Sequence, residues 1–284
     1  MNLLLLEPGE SVLDRRDPRA RHIRKVLRLS AGDELRAGEV GGPIGVARIV
    51  SDAAGRYELD FEPRREPAAL PPVCLVLGHP RPIVLRRLLR DLTAIGPAGV
   101  VVTHTDLGEK SYYESSLWAD VRTPLLDGAA QGGTTLLPDV RRAGSLREAA
   151  AAADSIVADA AVGAGAAGGG AKRSRRKPRR LVLHDDDPRD RKVQDGNSSP
   201  SAADGDGRPA ARFAVTIARA LGEVEATTPV VLAVGSERGW TARELDVLAG
   251  RGFVATTLGR RVLRSETAAI VATWAAVSWY DRGA

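Results

Sequence analysis

Cysteine, methionine, histidine and aromatic side chains are all scarce in this chain: one Cys, one Met and four His in 284 residues, with aromatics at 4%. A lone thiol, Cys74, cannot close an internal disulfide and leaves no room for a cysteine-based zinc cage. That points to a reducing compartment, and the cytoplasm is the expected location. The histidines, His22, His79, His104 and His184, have no ligand-like spacing and no framing acidic pair, so no metal is expected. Long apolar runs are also missing. None approaches the roughly 20 residues that cross a bilayer, so no membrane partner is expected. The opening Met1-Asn2-Leu3-Leu4-Leu5-Leu6-Glu7-Pro8 has no basic n-region and is cut short by Glu7, which argues against a secretory leader.

Two catalytic signatures are absent as well. Gly235-Ser236-Glu237-Arg238-Gly239 lacks the central serine of a nucleophile elbow, which removes support for a hydrolase triad. Gly163-Ala164-Gly165-Ala166-Ala167-Gly168 fits the dinucleotide pattern G-x-G-x-x-G, but more glycine and a basic tract containing Pro178 follow it. The pattern requires an amphipathic helix there, so a nucleotide-binding turn is not expected.

Positive charge is present and unevenly placed. The net charge is +5, and the tract 172–180 alone carries seven cations, so the rest of the chain is slightly acidic. A second basic cluster, from Arg15 to Arg28, lies in sequence that reads as folded. Two such concentrations suggest a polyanion partner, RNA or DNA first. For an isolated run the alternative is a solvated surface.

The first seventy residues read as β-rich, with strand-like runs over 33–37, 44–50 and 57–61 separated by Gly-Gly-Pro and Ala-Ala-Gly turns. Between them, 22–29 has helical spacing. Ile23, Val26 and Leu27 are predicted to share an apolar face, opposite Arg24, Lys25 and Arg28. Pro63, Pro67, Pro71 and Pro72 mark a linker, giving a small β-barrel domain over 1–68 and a second domain over 73–284. The second domain alternates strands and helices. Runs at 73–77, 100–102, 181–183 and 230–234 fit strands buried on both faces. Residues 83–95, 114–130 and 265–280 fit helices, and Thr241-Ala242-Arg243-Glu244 is a capping box. This is an α/β layout with a mostly parallel sheet. Two stretches, 163–180 and 185–209, hold too few apolar residues to repay their ordering and are expected to be disordered insertions.

The strongest constellation is C-terminal. The strand 230–234 runs into the Gly-bounded turn 235–239, and about twenty residues later a second strand runs into Leu258-Gly259-Arg260-Arg261-Val262-Leu263-Arg264-Ser265-Glu266-Thr267-Ala268. Glycine turns at the carboxyl ends of adjacent strands are where open α/β sheets bind ligands. Here the chain resembles the bacterial 16S rRNA uridine-N3 methyltransferases of the SPOUT superfamily. Residues 258–268 match that family's last signature at all but Arg260 and Ser265. The turn 235–239 corresponds to its Gly-Pro-Glu-Gly-Gly, and Leu181-Val182-Leu183-His184 to its strand ending in Leu-His. His22-Ile23-Arg24-Lys25-Val26-Leu27-Arg28, followed by Gly32-Asp33, is similar to the opening of its PUA-like barrel, and Gln131 with Pro138 matches a further spacing. The departures are local. His79-Pro80-Arg81-Pro82 stands where the family has a Lys and a Glu on the first catalytic-domain helix. Ser236 and Arg238 replace Pro and Gly, and Gly132-Gly133-Thr134 replaces Cys-Gly-Arg.

The resemblance implies a PUA-like RNA-binding barrel followed by an α/β domain tied in a trefoil knot. It implies S-adenosylmethionine as cofactor, 16S ribosomal RNA as substrate and a homodimer. Carried over residue by residue, the cofactor would lie against His184, Ala233, Gly235, Glu237, Gly239, Leu258, Gly259, Val262, Leu263 and Ala268. Val262 and Leu263 would pack beside its adenine. Arg24, Lys25 and Arg28 would contact RNA. Arg264 is the candidate for stabilising charge on the uracil oxygens, with Glu266 or Glu237 orienting it or accepting a proton. Rival readings are a SPOUT enzyme with another RNA target, such as a tRNA ribose 2′-hydroxyl, and a non-catalytic RNA-binding or assembly factor.

Overall fold

The computed structural model describes residues 2–167, 176–184 and 215–283. The N-terminal part is a curled five-stranded sheet. Its strands are β1 (Leu4–Leu6), β2 (Val12–Leu13), β3 (Glu34–Glu39), β4 (Ile44–Ser51) and β5 (Tyr57–Arg65), in the order β1-β3-β4-β5-β2. Alternation explains the opening leucines. Leu4 and Leu6 enter the core of the curled sheet, while Leu3 and Leu5 pack with Ile44 and Ala129 against the second part of the molecule. The run that could have suggested a leader is a strand buried on both faces. Backbone N–H groups of Asn2 and Leu3 donate to the Ala130 carbonyl at 3.0 and 3.1 Å, and Arg122 pairs with Glu7 at 2.6 Å, so the two parts are docked.

Helix α1 (Pro18–His22) is capped by Asp17, whose carboxylate also accepts from Arg19. Arg19 reaches Glu10 as well, at 2.7 Å. Burial raises the pKa of both acids, but the Arg19 side-chain hydrogen bonds, backbone hydrogen bonds and the Arg19 charge together outweigh it and hold both carboxyls below their ordinary values. The next turn, Ile23–Leu27, is π-helical and ends at Arg28 in the left-handed region (φ 57°). This corrects the predicted amphipathic face. Ile23 is buried, but Val26 and Leu27 are 63% and 39% exposed, because the wider turn no longer brings them onto one side.

The second part is a seven-stranded parallel sheet with helices on both faces. Its strands are β6 (Val73–Gly78), β7 (Gly99–Thr103), β8 (Asp139–Ala143), β9 (Arg179–Leu183), β10 (Val215–Thr216), β11 (Val230–Val234) and β12 (Val254–Thr257). Their order is β10-β12-β9-β11-β6-β7-β8. The central strands β6, β7 and β11 are buried along their length, as their uninterrupted apolar runs require. Helix α2 (Pro82–Ile95) buries Leu85, Leu88, Leu89 and Leu92 at helical spacing. Each contributes about 1.5–3 kcal/mol of transfer free energy when fully buried.

The helix expected over 114–130 is broken. Short α3 (Lys110–Tyr113) and a 3-10 turn (Ser116–Asp120) precede α4 (Arg122–Gly132), since Pro124 fits only in a first turn. The long helix α5 (Leu146–Ala167) was not anticipated. It runs through 163–167, so the G-x-G-x-x-G pattern begins in the end of a helix rather than a strand-to-helix turn. Residues 179–180 belong to β9, where Arg180 pairs with Asp154 and Arg179 with Glu223. The expected insertion over 163–180 is therefore narrower at both edges. Residues 168–175 and 185–209 lie outside the described residues. Helices α6 (Ile217–Gly222), α7 (Ala242–Gly250) and α8 (Ser265–Asp281) complete the layers. No helix among the described residues is long and apolar enough to cross a membrane.

Candidate active site

A cavity of about 510 Å³ opens at the carboxyl ends of β9, β11 and β12, between the turn after β11 and the first turn of α8. Such positions collect ligands because the strands end there while helices begin, leaving backbone donors and acceptors directed into the crevice.

The wall after β11 is preformed. Gly78, at the end of β6, lies so close that a Cβ there would sit 2.5 Å from the Ser236 backbone nitrogen. Ser236 is buried, and its hydroxyl receives a hydrogen bond from Thr105 at 3.3 Å. The Gly239 N–H donates to the Ser236 carbonyl at 2.9 Å, with Gly239 at φ 73°. Glu237 accepts from the Arg81 backbone N–H at 3.1 Å, which puts a carboxylate at the N-terminus of α2, where the helix dipole favours it. The predicted capping box is present: Thr241 and Glu244 bond reciprocally and start α7 directly behind the turn.

The opposite wall is open. Gly259 has φ 147°, and nothing lies within 4 Å of where its Cβ would be. Val262 is 83% exposed and Leu263 38%. Arg264 is the N-cap residue of α8. Its side chain makes no capping bond and extends into solvent, with its guanidinium 4.0 Å from the Glu266 carboxylate.

Of the residues selected from sequence, His184, Gly235, Glu237, Gly239, Leu258, Val262, Leu263, Arg264, Glu266 and Ala268 all line this cavity. Ala233 does not: it is fully buried in β11 and packs in the core on one face of the sheet. Gly259 shapes the turn without lining the cavity. Arg24, Lys25 and Arg28 belong to the curled sheet domain and line none of the cavity. Sequence reasoning passed over Arg81, Trp240 and Thr256, which the cavity also touches, while Arg261, noted with Arg264 and Glu266 at the helix entrance, lines it as well. Trp240 had a signal, following directly on Gly239. Arg81 had none, since only the pairing of β6 with β11 brings it there.

Three arginines (Arg81, Arg261 and Arg264) face two carboxylates around the opening. Two polar atoms of lining residues are buried without a hydrogen-bond partner, Trp240 Nε1 and Ser265 Oγ. Orphaned polar atoms of this kind cost about 1–3 kcal/mol each unless a ligand satisfies them. A cofactor with ribose hydroxyls, an amino-acid head and an adenine offers the partners they lack, so these residues fit S-adenosylmethionine.

The chain is similar to known RNA methyltransferases. A family model described as an RNA methyltransferase domain matches residues 209–277. Ribosomal RNA small subunit methyltransferase E of Treponema pallidum is 34% identical over 282 residues, covering 96% of this chain and 89% of the relative. Ribosomal RNA small subunit methyltransferase E 1 of Borreliella burgdorferi is 24% identical, covering 96% of each. Among solved structures, ribosomal RNA small subunit methyltransferase E of Neisseria gonorrhoeae, bound to S-adenosyl methionine, shares the fold with a TM-score of 0.63. It is 19% identical over 96% of this chain and 95% of that one.

Proposed function

This chain belongs to the ribosomal RNA small subunit methyltransferase E family, and from that premise we propose that it transfers a methyl group from S-adenosylmethionine to N3 of a uridine in 16S ribosomal RNA. When bound, the cofactor supplies an electrophilic methyl on a sulfonium. The protein's own residues do the rest. The turn 235–239 would hold the cofactor with main-chain groups, and Trp240 and Ser265, which line the same cavity, would flank it. Uracil N3 is a weakly acidic imide, so its proton must leave as the new bond forms. Glu237 is committed to the Arg81 N–H, which leaves Glu266 as the proton acceptor. Arg264, exposed at the mouth and adjacent to Glu266, places its guanidinium on the uracil oxygens as negative charge develops there.

The single observation that carries the reading is the cavity at the carboxyl ends of β9, β11 and β12, walled by the turns 235–239 and 258–264, with an exposed arginine, Arg264, at its mouth. Several further features belong to the same proposal. Residues 1–68 form a PUA-like RNA-binding domain, with Arg24, Lys25 and Arg28 on its RNA face, and residues 73–284 form the methyltransferase domain. The strand order supports a trefoil knot: the chain moves out from β9 to β10, returns to the middle as β11, then leaves again between β9 and β10 as β12. Ile83, Val271 and Trp274 are 70%, 38% and 60% exposed on α2 and α8, two helices that pack together, and they support a homodimer through that face. The setting is the cytoplasm, with no metal.

The test is mass spectrometry of nucleosides from small-subunit RNA of wild-type and deletion strains. The deletion should lose one N3-methyluridine, restored by the wild-type gene and not by Arg264→Ala. Loss of a ribose-methylated nucleoside from transfer RNA instead would overturn the assignment.

A further inference from the structure

A second cavity, of about 730 Å³, lies beside the first, across the carboxyl ends of β7 and β8 and the first turn of α7. The wall between them is thin. His104 and Thr105 line the second cavity, and the Thr105 hydroxyl bonds to Ser236, which lines the first. One side of the second cavity is a stack of rings. The imidazole of His104 lies on Tyr113, with centroids 4.0 Å apart and planes at 30°. The Arg142 guanidinium lies 4.7 Å from the Tyr113 ring centroid and is fixed there by a 2.9 Å bond to the Tyr113 carbonyl. Tyr113 thus has two partners already, and the half-buried imidazole is the member of the stack left to receive another ring.

The free rim has an excess of positive charge, Lys110 and Arg147 against one exposed carboxylate, Glu114. Glu244 is buried in its capping box and also accepts from the Asp106 N–H at 2.7 Å, and Asp106 is engaged by Thr241 and Arg243. Lys110 and Arg147 pair with no carboxylate among the described residues. A smaller hollow of about 310 Å³ shares Arg147 and Arg243 and adds Arg251 beside one carboxylate, Asp246, so a net positive charge continues away from the ring stack.

We infer that this second cavity is a nucleotide subsite, in which an unpaired base next to the target uridine stacks on His104 while Lys110, Arg147 and Arg251 carry the adjoining phosphates. A ring platform opening onto a basic track is how sequence-tolerant single-stranded RNA sites are built. The wall shared through Thr105 and Ser236 makes this subsite a direct neighbour of the methyl-transfer cavity. Holding the neighbour would keep the target base out of its stack while the reaction proceeds.

The inference rests on the proposed function, and the test separates the two. Methyl transfer from S-adenosylmethionine to unmodified 16S RNA transcript is followed with the full chain at varied RNA concentration. His104→Ala should raise KM for RNA about 5- to 100-fold, the range for loss of one stacked base, with kcat and calorimetric cofactor affinity unchanged. His104→Phe, which keeps a ring, should recover most of the loss. Lys110→Ser with Arg147→Ser, both at exposed positions, should weaken RNA binding and lower its log–log salt slope by about 0.7 per lost contact. Normal KM in a stably folded His104→Ala protein overturns the subsite. If that variant melts early, normal KM and salt slope in the double variant overturn it instead. Wild-type protein that neither binds nor methylates the transcript overturns the function as well.

Discussion

The two turns that face each other across the first cavity are built in opposite ways. Residues 235–239 are held from every side: Gly78 beneath, Thr105 beside Ser236, the Arg81 N–H on Glu237, and a backbone bond across the turn. Residues 258–264 are held chiefly by Thr257, whose hydroxyl donates to the Gly259 carbonyl at 2.8 Å, and by Leu258 against the core, while the side chains of 260–264 stand in solvent. A turn packed against its surroundings owes its sequence partly to packing. A turn that touches little owes it to what enters the cavity. This is why the open turn carries an Arg-Val-Leu-Arg run that no core requires, and why the closed one tolerates Ser236, whose small side chain fits beneath Thr105.

The largest effect that tests this contrast is on Arg264. If the open turn exists for the reaction, Arg264→Ala lowers kcat by about 10²–10³, the cost of a lost donor to a developing oxyanion. Its cofactor dissociation constant and melting temperature stay within a few-fold and a few degrees. A joint fall in stability and cofactor affinity would make Arg264 a structural helix starter and erase the contrast. Gly78→Ala probes the closed turn. Its new methyl meets backbone atoms at 2.5 and 3.0 Å as well as the buried Thr105 methyl at 2.7 Å, so overpacking of about 1–3 kcal/mol is expected. Lower melting temperature and roughly tenfold weaker cofactor binding by calorimetry are the expected readings. Unchanged affinity would show that this wall is not part of the site.

The same contrast explains what the sequence could and could not disclose. The buried strands 73–77 and 230–234, the leucine stripe of α2 and the Thr241 capping box were legible because each obeys a local rule of periodicity or capping. Helix α5 was not. Its buried face holds Leu146, Ile156 and Val157 only at the two ends of its contact, with Ala149, Ala150 and Ala153 between them, and these barely differ in hydropathy from the alanines on its outer face. Small residues suit it because it approaches closely at Gly99, where a Cβ would meet Ile156 at 2.8 Å. The π-helical turn at Ile23–Leu27 defeated a 3.6-residue wheel. Within the site, the open turn was legible as a string of residues. Arg81 reaches the cavity only through the pairing of β6 with β11, which no local pattern encodes, and the His104–Tyr113 stack forms by the folding back of the irregular segment after β7.

Hydrogen exchange offers a subtler test. Amides of 258–264 should gain protection when S-adenosylmethionine is added, because their ordering is left to the ligand. Amides of 235–239 should begin protected and change little. Equal gains in both turns would mean that the closed turn is no more preformed than the open one.

The smallest effect belongs to Val262, and it isolates the ligand from the fold. At 83% exposure its side chain contributes almost nothing to the unliganded protein, so Val262→Ser should leave the melting temperature of that protein unchanged. The residue nonetheless lines the cavity. If the bound cofactor covers it, the substitution removes about 1 kcal/mol of apolar burial that forms only in the complex. Cofactor binding should then weaken by about fivefold, and the thermal shift produced by saturating cofactor should shrink with it. Burial of Val262 by the ligand predicts the affinity change without the stability change. A variant that loses stability while free of ligand would show that the open turn packs in solution. A variant equal to wild type in both measurements would place the cofactor against the closed wall alone.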